Sequence, residues 1–303
     1  MSIALCLRIA ALSAAVLTTA FASAVCAQPA TLPEEATGPD SAAARDEDGS
    51  RPLWEIGVAA FGARDPDYPA SDESSYNGLV LPYVIYRGDV LQLGERGIAR
   101  GLFVDTDRVE FDVSLSGSFP VDADDNDARD GMDDLDFLGE IGPQLTLKLL
   151  PPRQEHALDL AFPIRAVLST DLSSGEYRGL SLSPQLQYRY RPEGGATRYS
   201  ASVGPSFGLN GLNDYFYTVR SKDVRAGRPR YEADNGYIGT ALNLGVSHAL
   251  SDSVRVYGGT QLGLYAGSAN EDSPLHTSDY GVSVAGGISW SFWQSEARVP
   301  ADR

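Results

Sequence analysis

Three histidines are the residues of this sequence best suited to acid–base or nucleophilic chemistry. They are His156, His248 and His276. A serine hydrolase needs such a histidine beside its nucleophile, together with a polar group that orients the ring. The spacing along the chain selects no serine or carboxylate partner for any of the three. We therefore predict no catalytic residues and interpret the histidines as solvated residues in turns, at strand ends and in a loop.

Hard oxygen ligands are concentrated in the segment 122–136, which contains eight aspartates and one arginine. Asp122, Asp124 and Asn126 match the first three ligand positions of a calcium loop. However, an aspartate occupies the position that requires glycine, and another replaces the bidentate glutamate. The sequence therefore predicts no dedicated metal site. Loose binding of a divalent ion at these three residues is one alternative, and a solvated acidic loop is the other.

Aromatic residues lie close to basic ones in the segment 210–235. It contains Tyr215, Phe216, Tyr217 and Arg220. Aromatic rings beside guanidinium groups suit contact with phosphorylated sugars, a glycan or a partner protein. These four residues are candidates for surface binding, and the alternative is that the rings fold inward. No phosphate-binding glycine loop or dinucleotide motif is present, and we expect no cofactor.

Most of the chain has the period-two pattern of β-strands with one apolar face. From Tyr199 to Leu209, Tyr, Ala, Val, Pro, Phe and Leu alternate with Ser and Gly. This alternation is typical of a half-buried strand. We predict about twelve strands on this pattern, at 53–61, 79–86, 90–94, 98–104, 109–119, 135–150, 156–168, 180–191, 197–209, 236–247, 254–265 and 279–292.

The connections between these strands alternate between long and short. The long ones are 62–78, 120–134, 169–179, 210–235 and 266–278, and a tight turn at 95–97 is the exception. Bacterial outer-membrane barrels have short periplasmic turns, longer extracellular loops and an even number of strands. We therefore predict a closed antiparallel transmembrane β-barrel of about 12 strands, within a range of roughly 10–14. The rival fold is a soluble β-sandwich or lipocalin-like barrel, but Ser, Gly, Ala and Asn on the polar face favour a narrow, wet lumen.

The N-terminus has the pattern of a cleavable signal peptide, residues 1–27. A single charge, Arg8, precedes an apolar run that ends at Val25-Cys26-Ala27. The run is short for a transmembrane helix, and lipidation of Cys26 would need a small residue in place of Val25. Because both cysteines of the chain lie in this segment, the mature protein is expected to have no disulfide and no cysteine-bound metal.

The remaining chain divides into three parts. Residues 28–52 form a flexible periplasmic segment, because they are rich in Pro, Ala and acidic residues without an apolar period. Residues 53–292 form the barrel, and residues 293–303 form a C-terminal tail. The net charge of −17 disfavours a nucleic-acid partner. We expect a monomer in the Gram-negative outer membrane, with membrane lipid around it.

Short motifs occur in a fixed order along the chain. They are Asp65-Pro-Asp-Tyr68-Pro-Ala-Ser71-Asp72, Leu81-Pro82-Tyr83, Tyr86-Arg87-Gly88, Gly131-Met132-Asp133-Asp134, Glu140-Ile-Gly142-Pro143, Asn213-Asp214-Tyr215-Phe216-Tyr217, Tyr231-Glu-Ala, Asp272-Ser273-Pro274-Leu275 and Ile288-Ser-Trp290-Ser-Phe292. In this order they resemble the MipA/OmpV family of MltA-interacting proteins. The similarity extends from about Leu53 to Phe292. Two features depart from the family pattern: Ala70 replaces the usual glycine, and 11 residues follow Phe292.

The resemblance implies an outer-membrane barrel without catalytic residues. It further implies an envelope scaffold or adaptor that links a murein lytic transglycosylase to a murein synthase. Two other roles are open: a small channel, since about twelve strands leave room for an aqueous lumen, and a barrel for surface ligand binding or adhesion. Inward-facing Arg189, Arg198 and Arg255 would narrow such a lumen.

Overall fold

The computed structural model describes residues 50–87, 91–93, 100–101, 104–150, 155–171, 174–192 and 195–300. The predicted signal peptide and most of the predicted segment 28–52 lie outside these residues. Parts of the two predicted short strands, 90–94 and 98–104, also lie outside them. In the described part of the chain, no helix combines the length and the apolar character that are needed to cross a membrane.

The described residues form many strands and one short α-helix, α1 (Leu212–Tyr217). The strands are β1 (Ser50–Pro52), β2 (Trp54–Pro66), β3 (Ser74–Arg87), β4 (Leu91–Leu93), β5 (Arg100–Gly101), β6 (Val104–Asp105), β7 (Val109–Ser118), β8 (Phe137–Lys148), β9 (His156–Thr170), β10 (Gly175–Leu182), β11 (Gln185–Tyr190), β12 (Thr197–Leu209), β13 (Gly236–Ala249), β14 (Val254–Leu264), β15 (Tyr280–Gln294) and β16 (Arg298–Pro300).

Strands β2 to β15 form one antiparallel sheet that returns to its starting point. The strand β2 pairs with β3 on one side and with β15 on the other, so the first and last long strands are neighbours. The two ends of the sheet are β5 and β6, which are separated in the chain by residues 102 and 103. Because that short piece of chain spans at most about 11 Å, the ends meet and the sheet closes into a barrel. The predicted fold class is therefore confirmed.

Two positions in the barrel wall are each filled by a pair of short strands. The strands β10 and β11 both lie between β9 and β12, and the wall position is interrupted at Ser183 and Pro184. In the same way, β5 pairs with β4 while β6 pairs with β7. With each pair counted once, the described sheet has twelve wall positions, which agrees with the predicted strand number.

The first hairpin is longer than the sequence pattern predicts. The strands β2 and β3 pair from Trp54 and Tyr86 to Pro66 and Ser74, so the predicted loop 62–78 is reduced to 67–73. The alternation fades beyond Gly62 because these residues reach the extracellular border of the apolar band. Selection for an apolar outer face weakens at that border.

Buried and exposed side chains in the wall are distributed in the opposite way to those of a water-soluble protein. Outward-facing Val203 and Ile288 are exposed, whereas inward-facing Glu55, Asp112 and Arg255 are buried. Soluble proteins bury their large apolar side chains and expose most charges. An exposed apolar face on strand after strand is typical of a transmembrane barrel, and it excludes the soluble sandwich.

Aromatic side chains lie at both borders of the apolar outer face. At the end with the short connections, the rings of Trp54 and Tyr86 are 4.3 Å apart. At the opposite end, Tyr76 is 82% exposed and Tyr280 is 71% exposed. Such girdles mark the two membrane–water interfaces of outer-membrane barrels.

The residues before and after the barrel pair with each other. The strands β1 and β16 form a two-stranded antiparallel ribbon in which Arg51 is opposite Val299. The amide of Leu53 also donates to the carbonyl of Ala297 at 2.8 Å. The chain after Phe292 therefore first completes β15 and then joins the N-terminal segment, at the barrel end that carries the short connections.

Candidate functional site

Four connections fold together over one mouth of the barrel into a structure that we call the cap: residues 67–73, 119–136, 210–235 and 265–279. The core of the cap and of the wall beneath it consists of Tyr68, Ala70, Val121, Leu135, Leu138, Val167, Leu212, Phe216, Tyr217, Val219, Tyr265 and Leu275. Leu138 and Val167 belong to the inner face of the wall, so the cap packs into the mouth. Long connections mark the extracellular end of an outer-membrane barrel.

Hydrogen bonds join the separate connections of the cap to one another. The Tyr217 hydroxyl donates to the carbonyl of Pro69 at 3.0 Å. The Ser273 hydroxyl donates to the carbonyl of Tyr217 at 2.8 Å, and the Thr277 amide donates to the carbonyl of Ala70 at 2.9 Å. Because these groups lie in or beside an apolar core, their mutual hydrogen bonds offset the cost of removing them from water.

The acidic segment of the cap is paired with basic residues of the same chain. Lys222 Nζ lies 2.7 Å from Asp133 Oδ2, and Arg220 Nη1 lies 3.8 Å from the same oxygen. Arg225 forms an ion pair with Asp130. The hydrogen bond from Lys222 lowers the pKa of Asp133 below its ordinary value of 3.8. We call these contacts the clasp, because they connect residues 119–136 to residues 210–235.

The four candidate surface-binding residues occupy different environments. Phe216 and Tyr217 are buried in the cap core, which corresponds to the inward-folded arrangement. Tyr215 is partly buried; its hydroxyl accepts a hydrogen bond from the Asp136 amide at 2.7 Å. Burial raises the pKa of Tyr215 to about 12. Arg220 is exposed at the surface of the cap, so it is the member of the set that solvent reaches freely.

The three candidate ion ligands do not converge on one point. Asp122 and Asp124 are exposed, and the Asp122 carboxylate accepts a hydrogen bond from the Asp124 amide at 3.0 Å. Asn126 is buried, and its side-chain amide donates to Asp67 Oδ2 at 2.8 Å and to the Ser71 hydroxyl at 3.2 Å. Within the ranges that the structure describes, no three His, Cys, Asp or Glu side chains are arranged to hold a metal ion.

The structure brings His276 between a serine and a carboxylate, which the spacing did not reveal. His276 Nδ1 is 3.3 Å from the Ser268 hydroxyl, and its Nε2 is 3.1 Å from Asp279 Oδ1. The other two histidines bond to hydroxyl groups at the periplasmic border. His156 Nδ1 lies 2.7 Å from the hydroxyl of Tyr188, and His248 bonds to a threonine.

This Ser–His–Asp contact differs from a nucleophilic site in two respects. Ser268 is buried, so its hydroxyl is withdrawn from substrate. The neighbouring Gly267 amide, a candidate oxyanion donor, donates instead to Glu271 Oε2 at 2.9 Å. An acyl-transfer site needs both an accessible nucleophile and donors aimed at the developing charge. The contact connects Ser268, His276 and Asp279 within the segment 265–279.

The inner face of the wall carries an extensive network of charged and hydroxyl groups. Arg165 Nε donates to the Ser114 hydroxyl at 2.5 Å, and Arg165 Nη1 lies 3.9 Å from Glu140 Oε2. The Ser181 hydroxyl donates to the same glutamate oxygen at 2.7 Å. The sequence predicts that Arg189, Arg198 and Arg255 face inward. Arg189 pairs with Asp159, and Arg198 and Arg255 also lie on the inner face. The lumen is therefore polar, with several of its charges neutralised by neighbours.

A buried glutamate lies on the inner face near the periplasmic end. Glu55 has no exposed surface, and its Oε1 accepts a hydrogen bond from the Tyr83 hydroxyl at 3.1 Å. The Tyr83 ring lies directly over Gly57, where a Cβ atom would be 2.4 Å from the ring. The ring can therefore lie flat on the wall only because residue 57 is glycine. The alternation from Trp54 to Ala60 predicts that Glu55 faces inward, but the continuous apolar run 79–86 does not assign Tyr83 to the inner face.

Comparison with known proteins identifies a family, and it also finds solved structures of low sequence identity. The family model described as MltA-interacting protein MipA matches residues 56–292. A search of curated proteins gives no match. Among solved structures, an outer membrane channel from Pseudomonas putida F1 is 12% identical with a TM-score of 0.43; the alignment covers 82% of this chain and 100% of that chain. The outer membrane protein OprG from Pseudomonas aeruginosa is 13% identical with a TM-score of 0.25, over 82% and 99% of the two chains.

The family match extends over nearly the whole described barrel, from Ile56 in β2 to Phe292 in β15. It agrees with the resemblance that the sequence motifs indicated, and with a barrel whose apolar face is turned outward. The protein is located in the outer membrane. The chain belongs to the MltA-interacting protein MipA family.

Proposed function

We propose that this protein is a non-enzymatic outer-membrane scaffold that binds a periplasmic murein-remodelling enzyme. The observation that carries the proposal is the family match over residues 56–292, because the family is described by its interaction with MltA. A murein lytic transglycosylase is the first partner that we propose, and a murein synthase held by the same barrel is the second.

The two ends of the barrel support this role in different ways. At the extracellular end, the buried core of the cap favours a rigid body over an open pore. At the periplasmic end, a partner has access to the ribbon and to the short turns. Glu296, Asp252 and Arg108 are exposed there. A periplasmic enzyme would therefore contact these positions and not the cap.

Site-specific photocrosslinking in intact envelopes tests the proposal. A photoreactive amino acid replaces Glu296 beside the ribbon or Asp252 in a turn, and Arg220 on the cap provides the matched control. We expect crosslinks to murein enzymes at one or both periplasmic positions and none at the cap. If no murein enzyme is crosslinked at Glu296, Asp252 or Arg108, the scaffold role is contradicted.

Removal of the N-terminal segment and of the C-terminal residues that form the ribbon identifies the part of the periplasmic surface that contacts the enzyme. If the ribbon holds the partner, a chain without residues 28–52 and 295–303 loses the enzyme in a pull-down from solubilised envelopes. If the trimmed barrel still recovers the enzyme, the contact belongs to the short turns. Heat-dependent mobility on a denaturing gel verifies that the trimmed barrel is folded.

The second candidate function is a small channel or a ligand-binding barrel. It is favoured by the polar inner face, on which Arg165, Glu140 and Ser114 line the lumen. Planar-bilayer recordings separate the two functions: a channel conducts, whereas a scaffold closed by the cap is silent at all voltages. An adhesion role would require binding through the exposed surface of the cap, which includes Arg220.

An enzymatic role would depend on one of the three histidines. We expect no hydrolase turnover from the purified barrel on ester or murein substrates. If turnover were measured and then lost in His276→Ala, His156→Ala or His248→Ala, the non-enzymatic part of the proposal would be wrong.

A further inference from the structure

Arg64 is a charged residue on the lipid-facing side of the barrel. Its neighbours Ala63 and Asp65 point toward the lumen, and Arg64 is exposed on the opposite face of β2 together with Trp54. No other Lys, Arg, Asp or Glu faces outward among the described residues of β2, β3, β7 to β9 and β11 to β15. The outward-facing side chains there are apolar, aromatic, small or uncharged polar, apart from two histidines at the periplasmic border. The presence of an arginine on this outer face therefore needs an explanation.

The register of the first hairpin gives the height of Arg64 in the membrane. Trp54 is opposite Tyr86 at the periplasmic border, and Arg64 is opposite Tyr76 ten residues further along each strand. Ten residues at about 3.3 Å each, tilted by roughly 40°, rise about 25 Å. This is the height of the apolar band in outer-membrane barrels, which is about 25 Å. Arg64 and Tyr76 therefore lie at the extracellular interface.

The surroundings of Arg64 leave its charge available to a ligand. In the described part of the chain, no carboxylate forms an ion pair with its guanidinium, and Val284 is its neighbour on β15. Tyr76 on the other side is the most exposed large apolar or aromatic residue of the described chain, at 82%. The side chain thus faces the membrane interface, and not the lumen or the cap.

The chemistry of this pair fits a lipid phosphate. A planar guanidinium donates two parallel hydrogen bonds to phosphate oxygens, and an interfacial tyrosine adds a hydroxyl donor beside an apolar ring. A cation facing lipid is strongly unfavourable at the midplane but nearly tolerated at the interface. In the outer leaflet of this membrane, the phosphorylated groups belong to glycolipids of the lipid A class.

We propose that Arg64 and Tyr76 form a binding site for the phosphate group of an outer-leaflet glycolipid. The partner is a lipid that lies against the outside of β2 and β3, with its acyl chains on the apolar wall and its phosphate at the guanidinium. This proposal does not depend on the scaffold function, because it concerns the opposite membrane interface.

Native mass spectrometry of the full-length barrel in detergent tests the site, with bisphosphorylated lipid A as the probe. We expect Arg64→Gln to reduce retention of this lipid by about tenfold, the size expected for a lost charge-assisted contact. Arg64→Lys should show a smaller reduction, because lysine keeps the charge but loses the bidentate geometry. The matched control is Arg108→Gln, which removes the same charge from an exposed periplasmic turn and should leave retention unchanged.

Other probes identify the source of the phosphate. Dephosphorylated lipid A should be retained about tenfold less than the bisphosphorylated form by the unmodified protein, which tests the proposal even where Arg64→Gln fails to fold. Equal retention of the two lipids would overturn the proposal, and so would an equal loss in Arg108→Gln. Equal competition by phosphatidylglycerol or inorganic phosphate would assign the site to phosphate in general and overturn the glycolipid assignment.

Discussion

The barrel wall and the cap bury opposite kinds of side chain within one chain. In the wall, Val203 is turned outward and Arg165 is buried inside. In the cap, Tyr217 and Leu275 are fully buried, whereas Arg220 is at the surface. The wall is surrounded by lipid and the cap by water, so the medium outside each region determines which face is apolar. Substitutions that act on one region alone test this difference.

The largest effect is expected in the cap core, from Tyr217→Ala. The tyrosine side chain is fully buried and its hydroxyl bonds to the carbonyl of Pro69. Loss of the ring should reduce the free energy of opening the cap by about 3–5 kcal/mol, as for other large aromatic truncations. Amide hydrogen exchange across residues 210–235 measures this free energy directly.

The control is Tyr217→Phe, which removes only the hydroxyl and should cost about 1 kcal/mol. Neither substitution should change the denaturant midpoint of the wall, which is stabilised by interstrand pairing and by lipid. If Tyr217→Ala lowered that midpoint as much as it opened the cap, the two regions would be one cooperative unit, and the comparison would be wrong.

The next largest effect is expected in the wall, from Val203→Arg. Val203 lies at the middle of β12 on the lipid face, where a charge should cost about 2–4 kcal/mol. The same change at Ser202, which faces the polar lumen beside Asn243, should cost less than the change at Val203, because it brings no charge into contact with lipid. Denaturant unfolding in lipid vesicles gives both values. Equal losses at the two positions would show that the assigned faces are wrong.

The sequence predicts the wall far better than the cap, and the reason is physical. Lipid requires an apolar residue at every second position, so the alternation in 109–119 and 197–209 places those strands correctly. No such requirement acts on the cap, where the contact between Tyr217 and Pro69 spans 148 residues. The aspartates at 122–136 therefore predict a solvated loop or an ion site, because nothing local reveals that Lys222, 89 residues after Asp133, pairs with them.

The same limit applies to Arg64. The alternation is clear only as far as residue 61, so the sequence predicts a loop from residue 62 onward. The pairing of Arg64 with Tyr76 places it on the lipid face instead. The height of a side chain in the membrane and the face on which it lies follow from the register of its strand. Sequence periodicity alone does not supply this register for interfacial residues.

A smaller effect is expected from the clasp, and it depends on pH. The pKa of Asp133 is lowered in the folded protein by the hydrogen bond from Lys222, so its stabilising contribution is present above the ordinary value of 3.8 and is lost as the pH falls below it. Asp133→Asn should therefore destabilise the cap at pH 6, by less than about 1 kcal/mol because the pair is exposed. Hydrogen exchange of the cap at several pH values measures the difference.

The contribution of Asp133 is the difference in the free energy of cap opening between Asp133→Asn and the unmodified protein. The pH dependence of the unmodified protein alone does not isolate it. Burial raises the pKa of Glu73 in the same cap, and a raised carboxyl pKa contributes with the opposite sign. The difference caused by Asp133→Asn should shrink toward zero as the pH falls to about 2 and should also shrink in about 1 M salt. A difference that persisted at low pH would mean that Asp133 acts through packing.

The smallest effect is expected from Ala70→Gly in the cap, because two contributions of similar size oppose each other. Ala70 has φ of 68°, in the left-handed region, and its carbonyl accepts hydrogen bonds from the amides of Thr277 and Ser278, both at 2.9 Å. Glycine would release about 1 kcal/mol of backbone strain but would lose about 0.8 kcal/mol from the buried methyl group. The net change in the free energy of cap opening, measured by hydrogen exchange, should lie within about 1 kcal/mol.

The control is Ala70→Val, which enlarges the side chain instead of removing it. This variant should destabilise the cap more than Ala70→Gly, since a β-branched residue tolerates this φ poorly. A loss above about 2 kcal/mol for the glycine variant would mean that the methyl group packs more tightly than its area suggests, and that the cap core depends on alanine at this position.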